Sequence, residues 1–339
     1  MTDLGPIRGL LLGAALGVPA TFGVRALAHR IGFVSAPNPI VAQHTRTVAY
    51  GGGIAVALAA AFAFVLLGGG VGANPTPLAI AAVLFLVLGV TDDARAFRTA
   101  PKFALQVVVA SVAVWKGMVY AWTGMPVVDI ALSVVWILAL VNAFNVVDVC
   151  DGLLAGLATV FFAYGAIAFP AHAMLSACVA GACLGFLVFN RPKATIFLGD
   201  AGSHFLGFVA AGISLTPGST SPSLAYIPAL GLAAGVPLFE SVFLVYARAT
   251  RGLPWWKGSP DHFALRLQGA GFTAWRTILT AWTAAAALAA IAFVLRVLPT
   301  GAALAICAVS LLAAIAVARW LLIHTEPRVI ARTASRPPA

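Results

Sequence analysis

The sequence predicts an all-α polytopic integral membrane protein of about eleven transmembrane helices. Two observations carry that expectation. Only 30 of the 339 residues are Asp, Glu, Lys or Arg, while 62% are apolar; a soluble domain is about a quarter charged and under half apolar. The mean hydropathy is +1.02, which also excludes a disordered chain, because disorder needs low hydrophobicity and high net charge. At about 20 residues per crossing, the length accommodates the spans plus their loops.

Apolar runs fall at 5–28, 51–70, 77–91, 102–116, 128–147, 153–169, 172–189, 203–216, 224–247, 275–297 and 300–322. The first has no basic region ahead of it and further runs follow, so it reads as a span and not as a cleaved signal peptide. The second opens on Gly51-Gly52-Gly53, which permits close backbone contact with a ligand or with another helix. The third, fourth and eighth runs are short. The third closes on Thr91-Asp92-Asp93, and the fifth carries a polar series from Asn142 onward. The seventh and eighth flank Gly199-Asp200-Ala201-Gly202, and the ninth contains Glu240. A polar connection at 248–274 precedes the tenth. Solenoid repeats, low-complexity tracts and soluble domains are absent, which gives one transmembrane domain over 1–339 with a basic tail at 323–339. Cys150, Cys178, Cys183 and Cys307 lie in or beside apolar runs. Their spacing fits neither a disulfide framework nor a zinc site, so they read as small buried residues.

With eleven spans, the loops after spans one, three, five, seven and nine share a side with the C-terminal tail. That side collects 17 of the 20 basic residues and leaves only Arg8, Lys116 and Arg296 opposite. The positive-inside rule then places the C-terminus in the cytoplasm and the N-terminus outside. The same bias explains a pI near 10 without a nucleic-acid partner. Asp92, Asp93, Asp148, Asp151, Asp200, Asp261 and Glu326 fall on the cytoplasmic side too. The rule is silent about acids, so their gathering needs another reason.

Five polar clusters occupy that side. In Thr91-Asp92-Asp93-Ala94-Arg95, adjacent carboxylates repel and prefer a nearby cation or a shared proton; the pair suits a metal or phosphate site, or a solvated loop. From Asn142 to Asp151, polar residues recur every three positions as Asn142, Asn145, Asp148 and Asp151, one slowly drifting helical stripe. Polar groups buried at a membrane helix end are costly without partners and mark function by default. Gly199-Asp200-Ala201-Gly202-Ser203 either brings an anion to the amides that open the eighth span, or is a tight turn with Asp200 as N-cap. The loop from Arg251 to Arg266 carries Trp255 and Trp256, suited to a membrane interface, and Lys257, His262 and Arg266, suited to phosphate. The first loop carries His44 and Arg46 ahead of the triple glycine. Together these supply the charge clamp and the turns that metal-assisted phosphoryl transfer requires.

In this order the motifs resemble the polyprenyl-phosphate N-acetylhexosamine-1-phosphate transferases, glycosyltransferase family 4, over about residues 40–275. NAFNVVDVCDG, from Asn142, is similar to the family's NxxNxxDGxDG, and FLGDAGSHFLGF, from Phe197, to its GDxGS stretch. TDDAR with Pro101, Lys102 and Gln106 looks like its aspartate-rich loop, and Glu240 stands where the family often carries an acid. The resemblance implies transfer of an N-acetylhexosamine-1-phosphate from a UDP-sugar to undecaprenyl or decaprenyl phosphate, releasing UMP, as the first membrane step of a cell-envelope glycan. By the same resemblance Asn145 and Asp200 ligate Mg²⁺, or Mn²⁺ in its place. Asp92, Asp93 and Asp148 are its catalytic candidates. A prenyl phosphate is largely ionised at neutral pH, its second pKa being about 6, so positioning by the aspartate pair is as credible as proton removal. Asp148 and Asp151 shape the nucleotide pocket, and Lys102 and Arg95 offset phosphate charge. Asn142, His262, Arg266, Gly202 and Arg46 complete the substrate site. The resemblance also implies the inner (plasma) membrane, contact with the bilayer, and a homodimer.

Departures from the family pattern sharpen the branch. The peptidoglycan enzyme's Pro-Thr-Met-Gly-Gly loop is replaced by TVAYGGG and its triple-His motif is absent, which favours the GlcNAc-type branch over the phospho-N-acetylmuramoyl-pentapeptide branch. Of a His-x-His-His cluster only His262 is kept; Ala264 and Leu265 replace the others, with Arg266 as the substitute cation. The first Gly of the family's DGxDG is Val149. Two rivals come from other classes: a transporter, which would set its ionisable groups at the midplane on broken helices, and a membrane scaffold without catalysis.

Overall fold

The structure is a computed structural model and describes residues 4–35, 47–69, 76–215, 226–254 and 258–327. Within these residues helix covers each of the eleven apolar runs: α1 (Gly5–Ile31), α2 (Gly52–Leu66), α3 (Thr76–Arg95), α4 (Thr99–Trp115), α5 (Pro126–Val147), α6 (Leu153–Ala168), α7 (Ala173–Asn190), α8 (Gly199–Leu215), the pair α9 (Tyr226–Ala233) and α10 (Gly235–Ala249), and, after a short α11 (Phe263–Gly269), α12 (Ala274–Leu295) and α13 (Thr300–His324). The chain is a polytopic membrane protein. Six helices among the described residues are long and apolar enough to cross a membrane, or seven with the bent pair α9–α10 counted as one. The count falls short of eleven because α2, α4, α6 and α8 have 15 to 17 residues. At 1.5 Å per residue these reach about 22–26 Å, against a hydrocarbon core of about 30 Å.

The ninth run is not one straight span. α9 and α10 meet at 77°. Gly235 follows the break, and Pro237 in the first turn of α10 has no N–H to continue the ladder back into α9. The polar connection after it is not wholly irregular, since α11 folds there with Phe263 to Gln268 all buried.

Packing follows residue size. α1 lays Gly9, Gly13 and Gly17 on α7, whose Gly181 and Gly185 face it, the small-residue contact by which membrane helices approach closely. α8 is the central helix, packed on α2, α3, α5 and α6; from Ala201 to Leu215 only Phe205 is not fully buried. Phe85 stacks on Phe208 at 4.9 Å where α3 meets α8. α13 is the reverse case, exposing Leu304, Val309, Leu311, Leu312 and Ile315, as suits a helix facing acyl chains. The cysteines are free; Cys150, Cys178 and Cys183 are buried and Cys307 is half-buried.

Alternate loops gather at one end of the bundle. A two-stranded antiparallel sheet, β1 (Val34–Ser35) with β2 (Val48–Ala49), adds a small extended element to an otherwise helical fold. Ala49 bridges to Ile196, and the Gly52 and Gly53 amides donate to the Phe197 and Leu198 carbonyls. The first and seventh loops are thus stitched together. Asp151 accepts the Lys193 and Ala194 amides at 3.0 and 2.9 Å, and Gln268 reaches the Cys150 thiol, tying in the fifth and ninth. Tyr120 and Trp122, in the loop between α4 and α5, form an aromatic group with Trp136 of α5 and Tyr226 at the start of α9.

Candidate active site

Four helix ends converge where the loops are stitched: the last turns of α3 and α5 and the first turns of α4 and α8. The first turn of a helix leaves backbone N–H groups without intrahelical partners, and negative charge is favoured there. At α8 the anion is Asp93. Its Oδ1 accepts the Asp200 amide at 2.8 Å and its Oδ2 the Ala201 amide at 3.1 Å. This contact needs glycine at 199, where φ is +75° and a Cβ would lie 2.5 Å from the carboxylate. The expectation that these amides face a ligand's anion is therefore corrected: a protein carboxylate already fills that place. Gly53 and Gly202 also prove to be packing positions. A Cβ on Gly53 would stand 2.1 Å from the Gly202 nitrogen, so α2 meets α8 backbone to backbone.

Asp92 closes the α3–α4 corner by accepting the Phe97 amide at 2.6 Å. Its other oxygen pairs with Lys102 at 2.6 Å. The Lys102 ammonium also pairs with Asp200, so one cation from α4 bridges carboxylates from α3 and α8. Asn145 on α5 donates to Asp200 Oδ1 at 2.8 Å and to the Ser203 hydroxyl at 3.0 Å. Lys102, Asp200 and Asn145 thus meet from three helices, with Asp92 and Asp93 adjoining.

The predicted polar stripe is interrupted. α5 ends at Val147, and Asp148 caps it with ψ of 60°, so only Asn142 and Asn145 share the helix. Asn142 lies one turn deeper and donates to Gln106 and the Leu138 carbonyl. Asp148 sits beyond the helix end. Burial pushes its carboxyl well above the usual carboxylate range, and the negative charges of Asp200, Asp93 and Asp151 push it the same way. Asp151 spends one oxygen on the loop that leads to Asp200.

Other predicted residues fall elsewhere. Arg95 is exposed at the last turn of α3. Arg46, Trp255, Trp256 and Lys257 lie outside the described residues. His262 Nδ1 meets Glu240 Oε1 at 2.7 Å, and the other Glu240 oxygen accepts the Phe263 amide at 3.2 Å. Arg266 does not present a free cation. It is 1% exposed, pairs with Asp261 at 2.7 Å, and donates to the Leu321 and Thr325 carbonyls at the end of α13. A buried guanidinium takes such partners because an unpaired one is prohibitive.

Two residues of this region were not singled out in the sequence. Tyr50 packs between Phe33 and Phe197. Burial holds its hydroxyl above the ordinary value, a Ser35 hydrogen bond works against this, and Asp93, Asp200 and Asp148 add to it. His204 lies beneath Asp200, fully buried. A polar residue four positions after Asp200 in an otherwise apolar run was the available signal.

Among the described residues no group of three or more His, Cys, Asp or Glu is arranged to hold a metal alone. Asp200 and Asn145 are nevertheless in contact and offer hard oxygens, and the ammonium between Asp92 and Asp200 marks a position suited to positive charge. Mg²⁺ typically takes one or two protein oxygens and completes its shell with water and substrate phosphate. The donor set fits that ion.

Comparison with known proteins matches the same stretch of the chain. The Glycosyl transferase family 4 model matches residues 76–218, the stretch from α3 through α8 that holds every member of the Lys102–Asp200–Asn145 group. The probable undecaprenyl-phosphate N-acetylglucosaminyl 1-phosphate transferase of Bacillus subtilis is 28% identical over 74% of this chain and 74% of its own length. The decaprenyl-phosphate N-acetylglucosaminephosphotransferase of Mycobacterium tuberculosis is 32% identical over 65% of this chain and 63% of its own length. The chain therefore spans about three quarters of the first relative and just under two thirds of the second. A phospho-N-acetylmuramoyl-pentapeptide-transferase of Halalkalibacterium halodurans, 34% identical, matches over only 52% of this chain. The family match covers the helices that build the site, so the chain is similar to glycosyl transferase family 4 there, and its likeness to the N-acetylglucosamine-type relatives runs over a longer stretch.

Proposed function

We propose that this protein transfers an N-acetylhexosamine-1-phosphate, with N-acetylglucosamine the leading candidate, from a UDP-sugar to a polyprenyl phosphate, releasing UMP. The observation that carries the reading is the Lys102–Asp200–Asn145 group with Asp92 alongside, at the ends of helices in a membrane protein. A soluble nucleotide-sugar and a lipid phosphate meet only at such a boundary. Asp200 and Asn145 would hold Mg²⁺, which supplies charge neutralisation on the diphosphate when bound. Lys102 holds Asp92 and Asp200 in register and brings positive charge to the acceptor phosphate. Asp93 fixes the start of α8, and hence the direction of Asp200. Asp148 lies beside Asp151 and the stitched loop, on the nucleotide side, with the His262–Glu240 pair joining the ninth loop to α10. Reaction is most simply one displacement at the sugar-linked phosphorus, for which the residues supply positioning and charge.

The proposed setting is the inner membrane with eleven crossings, the stitched end and C-terminus cytoplasmic, and a homodimer as the assembly. A negative cytoplasmic leaflet would attract the basic loops. The test is purified protein in detergent with polyprenyl phosphate, Mg²⁺ and a panel of UDP-sugars that includes UDP-N-acetylmuramoyl-pentapeptide. UMP release that requires the lipid supports the reading; no release with any donor overturns it.

A further inference from the structure

Behind the Lys102–Asp200–Asn145 group lies a second layer built from the same three helices. Gln106 is one turn beyond Lys102 on α4, His204 one turn beyond Asp200 on α8, and Asn142 one turn before Asn145 on α5. The three meet as a chain of hydrogen bonds. Asn142 Nδ2 donates to Gln106 Oε1 at 2.9 Å. Gln106 Nε2 and His204 Nε2 are 2.8 Å apart. His204 Nδ1 and the Asp200 carbonyl are 2.6 Å apart. The carbonyl can only accept, so Nδ1 carries the hydrogen. The ring's Nε2 then accepts from Gln106, whose oxygen is already turned to Asn142. Every donor in the chain points the same way.

Two of these groups are enclosed. Gln106 is 1% exposed and His204 is 0% exposed, while Asn142 is half-buried. Packing alone would be met by Leu or Met without desolvating the polar side chains of Gln106 and His204. A fully satisfied buried network instead fixes unique rotamers. Each member sits within about one turn of the group it supports, so rotation or sliding of α4, α5 or α8 would break a bond in the layer.

We propose that Gln106, His204 and Asn142 are positioning residues that set the mutual geometry of Lys102, Asp200 and Asn145. This rests on the transferase reading of that group, but it concerns residues that touch no substrate. It reassigns Asn142 from the ligand side of the site to its support.

The test uses the full-length protein in detergent and two readouts, Mn²⁺ affinity by electron paramagnetic resonance and steady-state UMP release. His204→Leu is expected to weaken Mn²⁺ binding and lower kcat by about 10- to 100-fold, the usual effect of removing support behind ligating groups, with the KM for the UDP-sugar little changed. His204→Gln, whose amide reaches the place of Nε2 and so meets Gln106, is expected to recover most of the loss. Gln106→Leu should match His204→Leu, and the double variant should be no worse than either, because both break one chain. Should His204→Leu disturb folding, Gln106→Leu and the rescue comparison still decide. Wild-type Mn²⁺ affinity and kcat in the Leu variants, or additive losses, overturn the proposal. A wild type that binds Mn²⁺ but releases no UMP would overturn the transferase reading; weaker Mn²⁺ binding in His204→Leu would still support the layer.

Discussion

The carboxylate of Asp93 accepts the backbone amide of Asp200 at 2.8 Å. The acid that opens α8 and the acid that closes α3 are therefore one structural unit, in which the second orients the first.

That unit makes Asp93 a stability residue as well as a site residue. Asp93→Ala removes the cap on two amides and is expected to lower stability by about 1 kcal/mol, the typical value of a lost N-terminal cap, alongside a loss of turnover. Thermal unfolding in detergent checks this. A variant that loses turnover with an unchanged melting temperature would confine Asp93 to chemistry.

Lys102 holds two carboxylates that otherwise repel. Lys102→Met should destabilise the fold by roughly 3 kcal/mol, since it leaves acids without their cation in a recessed place. Adding Asp92→Asn to it should restore part of that stability, because one negative charge is then gone. Comparing the melting temperatures of the single and double variants tests the bridge; a double variant less stable than Lys102→Met would refute it.

Asp148 gives a pH dependence with a definite sign. Its carboxyl is raised well above the ordinary value near 3.8, so the folded protein holds the proton over a range where the unfolded chain has lost it. Stability from this group is then full below about pH 4 and declines as pH rises toward the folded-state value. Asp148→Asn cannot ionise. Measured without divalent ions, its stability advantage over wild type should be near zero at low pH and grow upward. An advantage that shrinks with rising pH would contradict the shift.

The close approach of α2 and α8 has its own consequence. Gly53→Ala places a methyl 2.1 Å from the Gly202 nitrogen, between two backbones that cannot yield like a flexible side chain. Overpacking of this kind costs about 1–3 kcal/mol, and here it also displaces the start of α8. Expected are a lower melting temperature and reduced turnover; wild-type values for both would mean the helices separate freely.

Much of this was legible in the residues. Each apolar run became helix because a lipid-exposed backbone must satisfy itself internally. That Asp92, Asp93 and Asp200 share one side followed from sorting acids by loop; Asn145 joined them through the polar series from Asn142 and the family resemblance. What was hidden depends on three dimensions. The stripe from Asn142 to Asp151 suggested one continuous face, but α5 stops at Val147. Arg266 seemed a free cation, yet it is enclosed by Asp261 and the end of α13. The 77° break before Gly235 lay inside one apolar run, with only Gly235 and Pro237 to mark it. No local pattern announces that Asp93 caps a helix 107 residues away.

The most direct measurement is the rate of UMP release from UDP-N-acetylglucosamine in the presence of polyprenyl phosphate and Mg²⁺, wild type against Asp200→Asn. Asp200→Asn keeps the side chain's size and removes the charge that Lys102 and a divalent cation would share. The expected result is lipid-dependent release by the wild type and a loss of at least about 100-fold in the variant, with the variant still folded. Equal rates in the two proteins would contradict the assignment of Asp200 and its neighbours as the catalytic centre.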